Sequence, residues 1–219
     1  MEKQFAMADL TGGQLNAIVK KLRQQGGTDG VEKFLRGELS VAEPTRKWRY
    51  HAGIIYFTLV SDGTTGAEWI TRLEKKGYHL SSYAKNVLLS DDFKPTKDVV
   101  YEIAVLTGGM WNDNDRITKN IRAEADKRNL EKPNAEAGCL IRDTFTDEEI
   151  EAMGLMWIVT MHEPIKDADG GPSLLGTDRS GGGGWLDAYY GRPDSEWGRA
   201  NGFAFAVSQV SSSPSVTQE

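Results

Sequence analysis

The chain has 219 residues, 39% hydrophobic and 26% charged, which is enough apolar material to close a core without staples. Its net charge of −6 argues against a protein held on nucleic acid mainly through phosphates, since that mode needs an excess of lysine and arginine. A single cysteine, Cys139, excludes an internal disulfide and an all-cysteine metal site, and it suits a reducing compartment.

No apolar run at the N-terminus has signal-peptide length and none elsewhere approaches a membrane span, so the expectation is a cytoplasmic chain with no membrane partner. Thr11 reads as the N-cap of a helix from Gly12 to Gln25, with Leu15, Ile18, Val19 and Leu22 at helical spacing. GGTDG breaks it, and Asp29 or Thr28 caps a second short helix containing Val31, Phe34 and Leu35. This hairpin forms an expected helical annex over residues 1–45, closed near Pro44, with the main domain spanning 46–219.

Gly53 to Val60 (GIIYFTLV) is apolar, aromatic and β-branched, which predicts a buried strand ended by SDGTTG. The spacing of Trp69, Ile70 and Leu73 predicts a helix from Gly66 stopped by Gly77, and Leu80 to Leu89 predicts another. Val99 to Leu106 reads as a second long strand, followed by a charged helix capped by Asp113 or Asp115 and running through Arg128. Pro133 is placed at the first position of a helix through Ile141, and Thr146 with Glu149 forms a capping box for a short helix ended by Gly154. Leu155 to Met161 is the third long strand. Beyond it short strands are expected at Ser173–Gly176, Gly184–Tyr190 and Phe203–Ser208, the last placing Phe203, Phe205 and Val207 on one face.

Few residues suggest catalysis. His51, His79 and His162 are the only imidazoles, and none lies in a nucleophile-elbow sequence. His162 and Glu163, followed by Asp167 and Asp169, offer an imidazole nitrogen and three carboxylates around a DADGG turn, but they lack the spacing and closing glutamate of a calcium loop, so a solvated turn is the preferred reading. The glycine clusters make no phosphate-binding pattern, and Cys139 falls in an amphipathic helix as a small buried hydrophobe. Lys20, Lys21, Arg23, Lys33 and Arg36 decorate the N-terminal hairpin, which leaves a DNA-associated regulator as one alternative and a metal-assisted enzyme using His162 and Glu163 as another.

From Gly176 to Asn201 the composition changes to Gly, Asp, Ser, Arg, Tyr, Ala and Asn, punctuated by Trp185 and Trp197. Such a mixture suits recognition, because tyrosine supplies contact area at low entropic cost and short polar residues supply adaptable hydrogen bonds. LLGTDRSGGGGW (Leu174 to Trp185) and GFAFAVSQ (Gly202 to Gln209) resemble the C-terminal region of the variable proteins of diversity-generating retroelements. Those proteins carry a C-type-lectin-like domain akin to that of formylglycine-generating enzymes.

The resemblance implies an α+β fold: a C-type-lectin-like domain of mixed, mainly antiparallel strands with flanking helices, preceded by the helical hairpin. In that family reverse transcription rewrites template adenines, so asparagine codons become codons for Gly, Asp, Ser, Arg, Tyr, Ala, Thr, Pro or Leu. In Gly176 to Asn201, apart from Asn201 as an unaltered asparagine, only Trp185, Glu196 and Trp197 lie outside that set. The resemblance therefore implies a ligand-facing, changeable set of Asp178, Arg179, Ser180, Asp187, Tyr189, Tyr190, Arg192, Asp194, Ser195, Arg199 and Asn201. Trp185, Trp197, Gly202 and Phe203 become its scaffold. The paired cysteines of the enzymatic branch are missing, so the expectation is a non-enzymatic protein with no cofactor and no metal, binding a protein or other macromolecular ligand.

Overall fold

A computed structural model describes residues 12–40, 46–179 and 182–208, and the chain divides into two compact units, Met1–Arg46 and Lys47–Glu219. The first unit contains α1 (Gly12–Gly26) and α2 (Gly30–Leu35), separated by Gly27 at φ 75°. Thr11, the expected cap of α1, lies outside the described residues. Asp29 precedes α2 but makes no side-chain capping bond.

The second unit is built on β1 (Trp48–His51), β2 (Ile54–Asp62), β3 (His79–Leu80), β4 (Lys97–Thr107), β5 (Leu130–Glu131), β6 (Trp157–Thr160), β7 (Ile165–Lys166), β8 (Pro172–Asp178), β9 (Trp185–Tyr190) and β10 (Asn201–Val207). Among the described residues these form one mixed sheet ordered β1-β2-β4-β10-β6-β8-β9-β3, with β5 on β10 and β7 on β8. The β10–β6 and β3–β9 pairings are parallel and the others antiparallel. The fold is therefore α+β, and the late strand β10 occupies the middle of the sheet rather than an edge.

Five helices flank the sheet: α3 (Gly66–Lys75), α4 (Ser82–Leu88), α5 (Thr118–Lys127), α6 (Glu136–Thr144) and α7 (Asp147–Ala152). Thr146 and Glu149 make the expected capping box on α7, and Thr65 with Glu68 makes a second on α3. Gly77, at φ 85°, ends the α3 segment.

Three local expectations change, and one strand is added to them. Leu80 joins His79 in β3, so the following helix starts at Ser82, capped by the Ser81 side chain. Asp113 and Asp115 sit in a 3₁₀ turn and cap nothing, and α5 begins at Thr118. Pro133 lies ahead of α6 instead of opening it, and the Asn134 carboxamide oxygen accepts from the Glu136 N–H at 3.0 Å. Finally, Trp48–His51 is a strand, joined to β2 through Ala52 and Gly53, both at positive φ. That geometry matches the right-handed twist of a tight hairpin.

Alternation along the strands divides the core into two layers. Ile55, Phe57, Leu59, Ile103 and Val105 pack with Trp69, Leu73, Val87, Leu140 and Ile141 on one face. Ile54, Ala104, Leu106, Val159, Met161, Leu174, Phe203 and Phe205 pack with Ile121 and Ala125 of α5 on the other. Phe203, Phe205 and the half-buried Val207 share that second face, as period-two spacing requires. Among the described residues no helix is long and apolar enough to cross a membrane.

Candidate functional site

The register of four adjacent strands assembles one patch at the end of the second face. Asp178 stands opposite both Trp157 and Trp185, Gly176 opposite Asp187, Leu174 opposite Tyr189, and Asn201 beside Trp157. Directly paired residues share a face, so Trp157, Asp178, Trp185, Asp187, Tyr189 and Asn201 all belong to the same side of the sheet.

The aromatic rings there form a continuous set. Tyr189 stacks on Trp157 with centroids 5.1 Å apart and planes 24° apart, and Trp197 meets Tyr189 edge-on at 6.1 Å. Trp197 and Trp111 both meet Phe203 edge-on at 5.9 Å. The Tyr189 hydroxyl donates to Asp178 Oδ2 at 3.3 Å. Burial, and then the neighbouring Asp178 and Asp187 carboxylates, push the Tyr189 ionisation well above the usual tyrosine range, so the hydroxyl remains a donor.

Between β9 and β10 the chain crosses the start of α5, and its backbone is held there by residues outside the loop. The first-turn N–H groups of α5, on Thr118 and Lys119, donate to the carbonyls of Ser195 and Pro193 at 3.1 and 2.9 Å. A helix N-terminus presents donors without intrahelical partners, and here the loop supplies the acceptors. Trp197 donates its backbone N–H to the Arg116 carbonyl at 3.0 Å and its indole N–H to Thr118 Oγ1, also at 3.0 Å. Met156 N–H donates to the Ala200 carbonyl at 2.8 Å.

Arg116, 3% exposed, completes the fastening. Its guanidinium donates to the carbonyls of Gly108 at 2.7 Å, Trp197 at 3.2 Å and Trp111 at 2.9 Å, and to Asp113 Oδ1 at 2.9 Å. Gly108 is the other half of this junction. A Cβ there would lie 2.7, 2.8 and 2.9 Å from the carbonyl oxygens of Gly198, Arg199 and Asn201, so only glycine lets the two backbones approach this closely.

The expected site residues separate by position. Tyr190, Arg192, Asp194 and Arg199 are exposed, and Arg179, Asp187, Tyr189 and Ser195 are half-buried. Asp178 and Asn201, expected to face a ligand, are 7% and 4% exposed: Asp178 lies within the paired strands against the Tyr189 hydroxyl, and Asn201 is packed by the turn at Gly198. Arg179 fastens its own strand end, with Nε donating to the Leu155 carbonyl at 2.9 Å and Nη2 lying 3.6 Å from Glu151 Oε1. Ser180 lies outside the described residues. Tyr190 points to the opposite face from Tyr189, with the Arg192 guanidinium 5.2 Å from its ring centre.

Of the expected scaffold, Trp197, Gly202 and Phe203 are buried. Trp185 is only half-buried, its ring 4.8 Å from that of His79, because it stands on the outer strand pair where less of the sheet covers it. Sequence reasoning missed Trp157, Arg116, Thr118 and Gly108. Only Trp157 had a legible signal, the alternation of Trp157 with Val159 and Met161 in LMWIVTM.

The residues considered for other chemistry are engaged elsewhere. His162 Nε2 accepts from the Leu175 N–H at 2.9 Å and Nδ1 donates to the Glu163 carbonyl at 2.6 Å. Burial first, and then the nearby Arg122 charge, lower its pKa to about 4 against the pull of that carbonyl bond, leaving a neutral ring. Asp167 Oδ1 accepts from the N–H groups of Asp169 and Gly171, and Oδ2 accepts from the Ser173 hydroxyl. Glu163 pairs with Lys132. Among the described residues no three His, Cys, Asp or Glu side chains converge on a point where a metal ion could sit. Cys139 is fully buried, which pushes its thiol pKa well above the ordinary value. In the N-terminal unit Lys33 donates to the Gly26 carbonyl, and Arg36 pairs with Glu32 and Glu38.

No family model matches the chain, and neither a curated protein nor a solved structure matches it.

Proposed function

We propose that the protein is a non-enzymatic display protein, a variable protein of a diversity-generating retroelement, whose C-type-lectin-like domain presents residues 176–201 to a macromolecular ligand. The observation that carries this reading is the way the loop between β9 and β10 is held. Its backbone hydrogen-bonds to Arg116, Thr118, Lys119 and Met156, all outside the segment. Meanwhile Arg192, Asp194 and Arg199 are exposed. A loop fixed through its main chain and one buried indole tolerates replacement of its other side chains without losing its shape, which a surface of changing sequence requires.

Two further features support it. Trp197, whose codon contains no adenine, is the loop side chain that carries an anchoring bond. The fold-level part is supported by the return of β10 to lie between β4 and β6 with α5 and α6 in the intervening chain, an arrangement in keeping with a C-type-lectin-like domain. On this reading Asp187, Tyr189, Arg192, Asp194, Ser195 and Arg199 form the contact surface, tyrosine giving area and the polar groups tuning specificity.

The test is a library in which those six positions are varied together. Most members should fold, with cooperative unfolding near that of the parent, and selection should yield binders to unrelated proteins. A library in which most members fail to fold would overturn the reading. The same reading expects, beside the gene, a near-copy of the codons for Gly176 to Gln209 that differs at adenines.

A further inference from the structure

Behind the display face, on the opposite side of β9, lies a cavity of about 120 Å³ lined by Tyr83, Asp167, Ser173, Ala188 and Tyr190. Asp167 is 8% exposed, whereas Tyr83 and Tyr190 are 44% and 50% exposed, so a sheltered carboxylate sits behind two accessible rings. The carboxylate is already held by three donors: the N–H groups of Asp169 at 3.0 Å and Gly171 at 2.7 Å, and the Ser173 hydroxyl at 3.1 Å. It therefore contributes fixed negative charge to the wall more than open lone pairs.

Gly171 brings ring and charge together. A Cβ at that position would lie 2.6 Å from Cε1 of Tyr190 and 2.9 Å from Oδ2 of Asp167, so the ring edge and the carboxylate converge on one point. The Arg192 guanidinium, 5.2 Å from the Tyr190 ring centre, marks that ring as one whose electron-rich face already attracts a cation.

Aromatic walls with a buried anion whose acceptor sites are largely filled favour a weakly hydrated cation that needs no hydrogen-bond acceptor. We propose that this cavity binds a trimethylammonium head of the choline type. A primary ammonium would arrive with its donors largely unmatched, and leaving donors unpaired in a sheltered site is costly. The proposal stands apart from the display reading, since Tyr83, Asp167 and Ser173 lie outside the segment 176–201 and the cavity opens on the other face of β9.

The full chain is titrated with choline and, separately, with its uncharged tert-butyl isostere, following tyrosine ring resonances and heat. Choline should bind saturably, at least about fivefold tighter than the isostere. It should weaken by about fivefold or more in Tyr190→Leu and Gly171→Ala, with thermal unfolding confirming that each variant is folded. Equal binding of choline and isostere, or choline binding unchanged in both variants, overturns the proposal. Phosphatidylcholine vesicles at matched head-group concentration distinguish a lipid-borne head from a soluble one, and a protein that answers to neither has no such site.

Discussion

The indole nitrogen of Trp197 donates to the hydroxyl of Thr118 at 3.0 Å across 79 positions of sequence, joining the loop before β10 to the first residue of α5. The same threonine gives its backbone N–H to the Ser195 carbonyl, so one residue holds the loop by main chain and side chain together. Replacing it with valine keeps the shape and removes the acceptor. Thr118→Val should cost about 1–3 kcal/mol, because a buried indole donor is left unsatisfied. Denaturant unfolding measures the loss, and faster amide exchange over 191–200 locates it. An unchanged exchange pattern would show that the loop is held by something else.

The exposed side chains of that loop carry no comparable burden. Arg192→Ala, Asp194→Ser and Arg199→Ala should each shift stability by no more than about 0.5 kcal/mol. Trp197→Ala, which empties a site packed by Tyr189 and Phe203, should cost about 3–5 kcal/mol. Unfolding curves for the four variants suffice. Comparable losses at all four positions would mean that the loop depends on its exposed side chains as much as on its anchor.

Gly108→Ala tests the close approach of two backbones. The added methyl meets three carbonyl oxygens within 3.0 Å, and none of them belongs to a side chain that could rotate aside. Overpacking of this kind costs about 1–3 kcal/mol, and the displacement should appear at residues 198–201. Amide shifts confined to 105–110, with residues 198–201 unmoved, would count against it.

The buried imidazole predicts a pH dependence with a definite sign. His162 titrates near 4 in the folded chain and at about 6.5 when unfolded. Between those values the unfolded state holds a proton that the folded state does not, so stability is complete above about pH 6.5 and falls as pH drops toward 4. The contribution is at most about 3 kcal/mol. In His162→Gln, whose amide oxygen can still accept from the Leu175 N–H, the stability between pH 6.5 and 4.5 should become flatter than in the parent. Parallel slopes for the two proteins would refute the assignment.

Much of the local structure was legible because short-range rules set it. The α7 capping box at Thr146 and Glu149 and the Phe203–Phe205–Val207 alternation each depend on residues a few places apart. The strand β1 was not, since Trp48–His51 carries arginine and histidine and its turn uses Ala52 in a left-handed conformation, where asparagine or glycine is the usual signal.

Composition singled out the segment 176–201, but the geometry of its residues was not legible. Alternation in a strand over Gly184–Tyr190 already separates Tyr189 from Tyr190, so naming both as one contact surface contradicted that strand's own period. The stack of Tyr189 on Trp157, and the burial of Asp178 and Asn201, depend on which distant strands pair. That pairing is fixed by the packing of the whole sheet rather than by any local motif.

The central seat of β10 makes the sheet incomplete until residues 201–207 have been translated, since among the described residues β10 alone bridges β4 and β6. A frameshift or stop codon anywhere upstream deprives the nascent product of its keystone. Two half-sheets then remain with raw edges, a species for proteolysis rather than for use. Any product that folds has thereby proved its reading frame intact through residue 207.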